Sequence, residues 1–370
     1  MRDEEYMSLA LQLAESARGQ TSPNPAVGAV VVKDGVIAGM GAHLRAGEAH
    51  AEVHALQMAG DRARGGTIYV TLEPCSHHGR TPPCTDAIRQ AGIRRAVVAV
   101  RDPNPLVAGR GIHRLQQDGI EVTEGVLEEQ ARRLNEVFFH YITTRTPFVI
   151  LKTASTLDGK IASATGDSKW VTGELARQEV HRLRHQADAI LVGVNTVIAD
   201  DPSLTARLQP EGKQPLRLVL DRTLRIQLHA RVLHDGCAPT WVVTTKRAPK
   251  AKADALRERG AKVVELAGGT SGEQIRELLA RLGEREITSL LVEGGGEINA
   301  AFLQAQAVQK VIAYISCRLI GGKNAPTPFD GQGFIRMDQA VELSRVSIHR
   351  VSELDLRIEG YPHWPKGPQA

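Results

Sequence analysis

The sequence predicts two α/β domains in tandem, and three observations carry that prediction. The chain has 370 residues, and domains commonly run to roughly 100–200 residues. Short apolar runs alternate with stretches of helical period through both halves, as α/β folds require. A cluster of metal-ligand residue types stands in the first half, and a glycine-rich strand-to-helix turn stands in the second.

In the first half, Met7, Ala10, Leu11, Leu13 and Ala14 recur at helical spacing, so Tyr6–Ala17 reads as an amphipathic helix. The apolar runs Val27–Val32 and Val36–Gly39 flank Lys33-Asp34-Gly35, a β-hairpin signal. Ala49–Ala59 reads as a helix and Thr67–Leu72 as a short β-branched strand. Thr81–Gly92 is expected to be a helix with proline near its start and glycine at its end. Arg95–Val100 is another strand, followed by the loop Asp102-Pro-Asn-Pro105. Helices at Gly111–Gln117 and Leu127–Tyr141 bring this half to residue 145.

The second half opens with a strand at Phe148–Thr153. A helix is expected at Leu175–Gln186, then strands at Ala189–Val192, Leu216–Leu220 and Thr240–Val243. Glu273–Leu282 reads as a helix. Leu290–Val292 reads as a strand running through Gly294–Gly296 into a helix at Ile298–Gln304, and Val311–Ile315 closes the series. The tail from Tyr361, rich in proline and glycine, is expected to lie loose.

Composition narrows the function classes. Forty-six basic residues face 42 acidic ones, a formal charge of +4. No run of five or more Lys/Arg occurs, which argues against a nucleic-acid-binding arm and leaves small anionic substrates compatible. Four cysteines, Cys75, Cys84, Cys237 and Cys317, do not make a disulfide framework in so long a chain. The acidic start leads into an amphipathic stretch rather than a secretory apolar core, and no apolar run approaches the ~20 residues that span a bilayer. The expectation is a cytoplasmic protein with reduced thiols and no membrane association.

The chemistry of the first half sits in His50-Ala51-Glu52 and in Pro74-Cys75 with Cys84. One histidine and two thiolates leave a tetrahedral Zn2+ with an open position for water. Zinc lowers the pKa of that water to about 7. Glu52, beside a ligand but not a ligand itself, is placed to carry the proton to a leaving amine. His-x-Glu with a later Pro-Cys is the signature of zinc nucleobase deaminases. That signature expects Cys-x-x-Cys, whereas here Ser76–Pro83 separates the cysteines and must bulge outward. Cys84 would then open the following helix, whose dipole favours a thiolate. The rival is a structural zinc site with His77 or His78 as fourth ligand. Otherwise His77, His78 and Arg80 line the substrate pocket or are merely solvated, with Arg80 suited to a phosphate.

The second half is less explicit. Neither Gly39-Met-Gly41 nor Gly109-Arg-Gly111 completes a dinucleotide fingerprint. The turn Glu293-Gly294-Gly295-Gly296 either lets backbone N–H groups approach a phosphate or is a tight turn serving no ligand. Lys152, Asp200, Arg184 and Arg207 are its candidate polar partners.

From residue 1 to about 360 the chain resembles the bifunctional deaminase–reductase family of riboflavin biosynthesis. The resemblance rests on Pro23-Asn-Pro-Ala-Val-Gly28, His50-Ala-Glu-Val-His54, the block Thr71–Cys84 and Asp102-Pro-Asn-Pro105. In the second half it rests on Leu151–Gly159, Gly166–Thr172, Asn195–Arg207 and Val292-Glu-Gly-Gly295. The long cysteine spacing is that family's own pattern.

The resemblance implies a cytidine-deaminase-like three-layer α/β/α domain over 1–145. It implies a dihydrofolate-reductase-like α/β domain over 146–366 that uses NADPH. By position, Ala154, Trp170, Thr196, Asp200, Gly295, Gly296, Glu297, Ile298, Asn299, Ala300 and Ala301 would contact the cofactor. Ser168, Arg184, Leu204, Arg207 and Glu293, with Asn24, His77 and Arg80 in the first domain, would contact a pyrimidine ribosyl phosphate. Lys152 and Asp200 are the candidate catalytic groups of the reductase, and a homodimer or tetramer is expected. The rival readings are a nucleic-acid base deaminase with an accessory RNA-binding domain and a non-enzymatic zinc-stabilised binding protein.

Overall fold

The computed structural model describes residues 2–77, 82–104, 107–208 and 212–364. The chain divides into two compact units, Met1–Arg145 and Thr146–Ala370. Among the described residues, no helix is long and apolar enough to cross a membrane.

The first unit runs α1 (Asp3–Ser16), β1 (Gly28–Lys33), β2 (Val36–Ala42), α2 (Ala51–Ala59), β3 (Thr67–Val70) and α3 (Cys84–Gln90). It continues with β4 (Arg95–Val98), α4 (Arg110–Gln117), β5 (Glu121–Glu124), α5 (Glu128–Leu134) and α6 (Glu136–Thr144). The five strands form one sheet in the order β2-β1-β3-β4-β5. β1 pairs antiparallel with β2 and β3, and β3, β4 and β5 run parallel.

Side chains alternate across a pleated strand. Gly28 therefore faces α1, where a Cβ would lie 1.9 Å from the Ala10 carbonyl oxygen. Ala29 and Val31, with their partners Gly41 and Gly39, face α2 instead. A Cβ on Gly41 would sit 2.4 Å from the Ala51 carbonyl oxygen, so the missing side chain is what lets α2 lie directly on β2. That close contact fixes the N-terminal end of α2, where His50 and Glu52 stand. Met7, Ala10, Val30, Val31, Ile68, Val97 and Ala55 form the core between the layers.

Two expectations change here. Leu127–Tyr141 is not one helix but two, divided at Asn135. The Asn135 side chain accepts from Ala26 N and donates to Ala26 O, both at 2.9 Å. α3 begins at Cys84 rather than Thr81, because Pro82 and Pro83 precede it instead of opening it.

The second unit runs β6 (Phe148–Thr156), α7 (Glu174–Gln186), β7 (Ala189–Gly193), α8 (Val194–Asp200), β8 (Leu216–Leu220) and β9 (Thr240–Thr245). Then follow α9 (Lys250–Glu258), β10 (Lys262–Leu266), α10 (Ser271–Gly283), β11 (Ser289–Val292), α11 (Gly296–Gln304), β12 (Lys310–Ser316), β13 (Glu342–Arg350) and β14 (Asp355–His363). Nine strands form one sheet, β10-β9-β8-β7-β11-β6-β12-β14-β13. The run from β10 to β12 is parallel, and β14 and β13 add antiparallel. This is the dihydrofolate-reductase-like arrangement expected.

Both faces are covered. Leu191, Leu218 and Leu290 pack with Leu278 of α10 and Phe302 of α11. Ile190, Val192 and Val219 pack on the other face with Val197 of α8 and Leu256 of α9. Tyr361–His363, expected to lie loose, end β14, and the rest of that tail from residue 365 lies outside the described residues. Tyr361 is buried, and the Arg345 guanidinium lies 4.0 Å from its ring centroid.

Candidate active sites

His50 is the N-cap of α2, and Cys84 is the first residue of α3. Cys75 lies in the segment after β3. Its carbonyl accepts from Thr85 N at 3.2 Å and its sulfur accepts from Cys84 N at 3.3 Å. Nδ1 of His50 is 3.2 Å from Cys84 Sγ and 3.6 Å from Cys75 Sγ. Zinc–nitrogen and zinc–sulfur bonds arranged tetrahedrally demand separations of roughly 3.5–3.8 Å. The donor set and its spacing therefore fit a zinc ion. The Cys84 thiol holds Cys75 down to about 4, while Cys75 and burial push Cys84 well above the ordinary thiol range. Among the described residues no fourth protein ligand joins the cluster, and His77 is exposed.

Glu52 stands two residues into α2 with 3% of its surface exposed. Burial, reinforced by the Cys75 charge, raises its carboxyl to about 7. A group poised there can take and give a proton near neutral pH.

Asn24 reaches the same neighbourhood through a residue the sequence reading did not single out. His43 Nδ1 lies 3.2 Å from the Ala49 carbonyl, and its Nε2 lies 3.2 Å from Asn24 Nδ2. Nδ1 must donate to the carbonyl, so Nε2 is left to accept from the Asn24 amide. Burial lowers the His43 pKa and favours this neutral form. Arg80 and His78 lie outside the described residues.

In the second unit, Glu293 follows β11 and meets α7. Its Oε1 accepts from Arg184 Nε at 2.8 Å, and its Oε2 accepts from Arg184 Nη2 at 3.0 Å and Lys152 Nζ at 3.4 Å. Arg184 also donates to the Thr205 carbonyl at 3.2 Å. Arg184 is thus largely committed inside the protein rather than free to grip a phosphate. Arg207 is exposed, and its backbone N–H donates to His181 Nδ1 at 3.3 Å. Leu204 is buried, Ser168 half-buried, and Asp200 exposed at the last turn of α8. Trp170 is 60% exposed, with Arg177 stacked 4.6 Å from its ring centroid.

A crevice of about 890 Å³ opens at the carboxyl ends of the parallel strands. After β7 the chain moves to β8 on one side, and after β11 it moves toward β12 on the other. Open α/β sheets bind ligands at such a switch point. Thr196, Gly295, Gly296, Glu297, Ile298, Ala300 and Ala301 line the crevice; Ala154, Trp170, Asp200 and Asn299 do not. Asn299 is buried, with its amide donating to the Pro328 carbonyl at 2.8 Å. A Cβ on Gly295 would meet nothing within 4 Å, so neither packing nor its φ of −76° explains that glycine. A backbone left open beside the crevice suits a closely approaching phosphate. The far end is cationic: Arg222 donates to Ser271 Oγ at 2.5 Å, and Arg225 donates to Asn195. These lining residues follow different strands, so their convergence had no signal in sequence spacing.

Comparison with known proteins accounts for both halves. The family model of the cytidine and deoxycytidylate deaminase zinc-binding region matches residues 1–100, and that of the RibD C-terminal domain matches residues 147–353. The riboflavin biosynthesis protein RibD of Bacillus amyloliquefaciens is 48% identical, over 97% of this chain and 96% of the relative. A solved Acinetobacter baumannii RibD superposes with a TM-score of 0.86 at 38% identity, covering 98% of this chain and 99% of that one. The Thermotoga maritima diaminohydroxyphosphoribosylaminopyrimidine deaminase/5-amino-6-(5-phosphoribosylamino)uracil reductase gives a TM-score of 0.82 at 38% identity, with the same coverage. An accessory RNA-binding domain is not favoured, since the second half matches a reductase domain. The zinc-ligand cluster, its buried glutamate and the second, reductase half have one common explanation: this chain belongs to the RibD family of bifunctional riboflavin-biosynthesis deaminase–reductases.

Proposed function

We propose that residues 1–145 hydrolyse the exocyclic amine of 2,5-diamino-6-ribosylamino-4(3H)-pyrimidinone 5′-phosphate, releasing ammonia. Residues 146–366 then reduce the ribosyl chain of the product to ribityl with NADPH. The observation that carries this reading is the buried Glu52 carboxyl, two residues along α2 from His50, beside an N, S, S donor set of zinc dimensions.

Zinc would be held by His50, Cys75 and Cys84, and it would supply the Lewis acidity that lets a water ionise near neutral pH. Glu52 accepts that water's proton and passes it to the leaving amine nitrogen. Asn24, oriented by His43, holds the pyrimidine edge. His77, and Arg80 with its fixed charge, serve the ribosyl phosphate end.

In the second unit a bound nicotinamide would supply the hydride for the sugar C1′. A carboxylate offers about four lone-pair sites, and Glu293 gives three of them to Arg184 and Lys152. The fourth is available to a sugar hydroxyl. Lys152 is the N–H donor placed to deliver the proton that accompanies hydride, with Asp200 as the other candidate. Arg207 and Ser168 meet the substrate phosphate, and Leu204 packs beneath it. Gly295–Ile298, Ala300, Ala301 and Thr196 would cradle the dinucleotide, with Asn299 held inward, while Ala154, Trp170 and Asp200 would close its nicotinamide end. Arg222 and Arg225 favour NADPH over NADH because they offer a 2′-phosphate cationic donors.

The setting is the reducing cytoplasm, which the four free cysteines suit. A homodimer or tetramer would cover the exposed Ile335, Met337, Val346 and Ile348. The test is ammonia release and NADPH oxidation on the diaminopyrimidine phosphate. Both should occur in sequence, and absence of ammonia with zinc loaded would overturn the deaminase assignment.

A further inference from the structure

Glu73 is almost fully buried, with 4% of its surface exposed, and it lies two residues before the ligand Cys75. It has no place in the chemistry described so far. Its carboxyl nevertheless takes four backbone N–H groups from another part of the chain. Oε2 accepts from Asp102 N at 3.2 Å and Gly109 N at 3.0 Å. Oε1 accepts from Gly111 N at 2.8 Å and Ile112 N at 3.3 Å. Its own backbone N–H donates to the Val100 carbonyl at 2.9 Å.

Three structural consequences follow from this set. The first turn of α4 has N–H groups without intrahelical partners, and Glu73 satisfies those of Gly111 and Ile112. The start of α4 is drawn against the segment carrying the ligand: a Cβ on Gly111 would lie 2.0 Å from the Pro74 carbonyl oxygen. The loop start at Asp102 is fixed in the same grip, and Asp102 Oδ1 accepts from Asn104 N at 2.8 Å. One side chain therefore ties the segment carrying a zinc ligand to the loop beginning at Asp102 and to the start of α4.

We propose that Glu73 is a positioning residue of the deaminase, holding Cys75 in one fixed relation to the Asp102 loop and the start of α4 through its four backbone acceptor bonds. The inference rests on the deaminase reading of the first unit. Residues that orient metal ligands from behind typically contribute about 10- to 100-fold to metal affinity or activity. Glutamine is the informative replacement. It has the same size, but its amide turns one oxygen into a donor facing two N–H groups.

The test uses the full-length, zinc-loaded protein, with Glu73→Gln and Glu73→Asp as variants. Zinc loss to EDTA is followed at 25 °C, well below the unfolding transition, alongside deaminase kcat and KM. Reductase turnover on supplied intermediate reports that the chain is intact. For Glu73→Gln, zinc loss should be about tenfold faster and deaminase kcat/KM at least tenfold lower, with reductase unchanged. Glu73→Asp, which keeps the charge with a shorter reach, should fall between, and it carries the test if the glutamine variant does not fold. A residue needed only for folding would lower the melting temperature and leave the zinc-release rate and kcat/KM of the folded protein untouched. That result in either variant overturns the proposal. A wild-type protein that holds zinc yet releases no ammonia would instead remove the underlying deaminase reading.

Discussion

Glu293 and Arg184 form a fork-on-fork ion pair, Nε to Oε1 at 2.8 Å and Nη2 to Oε2 at 3.0 Å, at the carboxyl end of β11. Lys152 closes the group from β6. Taken alone, burial pushes the Glu293 carboxyl upward, but the Arg184 and Lys152 charges outweigh it and hold it at about 2.

The folded pKa of Glu293 is thus depressed below its ordinary value of 4.5. Its contribution to stability is complete above that value and lost as pH falls from about 4.5 toward about 2. Glu293→Gln leaves two largely enclosed cations without their counter-charge, and breaking such a pair typically costs up to about 3–5 kcal/mol. Urea unfolding followed by the fluorescence of Trp170, Trp241 and Trp364, which all lie in the second unit, should show that deficit at pH 7 and a markedly smaller one at pH 3. An equal deficit at both values would mean that charge is not what Glu293 contributes.

Glu52→Gln and Cys84→Ser should separate proton transfer from metal binding. Glu52 touches the chemistry without joining the ligand set, so its glutamine variant should retain zinc. It should lose about 10²–10⁴-fold in deaminase kcat, the usual contribution of a positioned acid–base group. Reductase turnover on supplied intermediate should be unchanged. Cys84→Ser removes a ligand and should lower bound zinc measured by atomic absorption. Unaltered zinc in that variant would take Cys84 out of the site.

At the far end of the crevice, Arg222 and Arg225 have no ion-pair partner among the described residues, and Arg222 is braced by Ser271. A guanidinium–phosphate hydrogen bond contributes about 1.5–3 kcal/mol. Arg222→Ala should therefore weaken NADPH binding by about tenfold or more while NADH binding stays within about twofold. Quenching of nucleotide fluorescence measures both affinities without turnover. Parallel losses for the two nucleotides would show that the arginine does not read the 2′-phosphate.

What sequence could and could not disclose follows from where the information lies. The hairpin was legible because Asp34 and Gly35 both adopt positive φ, at 51° and 77°, and the dipeptide Asp-Gly announces that turn. The zinc cluster was legible because its ligands are chemically rare and closely spaced. β13 was not, because its residues are mostly exposed and its pattern resembles a charged loop. β5 is Glu-Val-Thr-Glu on a sheet edge, too short and too polar to register as a strand. The break between α5 and α6 depends on Asn135 bonding Ala26, a contact 109 residues away in the chain. The same limit hid Glu73, His43 and Arg222, whose partners come from distant segments. Glu293 stood in the glycine-rich turn, but its role came only through the resemblance, since no local pattern says that it will meet Arg184.

Gly295 and Gly296 are adjacent in sequence but should respond oppositely to alanine. A Cβ on Gly296 would lie 2.1 Å from Asp330 Oδ2 and 2.8 Å from the Thr327 carbonyl oxygen, so backbone as well as a side chain must move. Overpacking of that kind costs about 1–3 kcal/mol. Gly295 has a φ of −76°, which any residue adopts, and open space where its Cβ would be. Alanine there should leave the melting temperature unchanged or slightly raised, because it restricts the unfolded chain. It should nonetheless weaken NADPH binding by about tenfold, by holding a phosphate off the backbone N–H groups at the start of α11. If Gly295→Ala binds NADPH as tightly as wild type, the open backbone serves no phosphate and the cofactor's contacts must be sought elsewhere along the crevice. If it instead destabilises the fold as Gly296→Ala should, the glycine is there for packing.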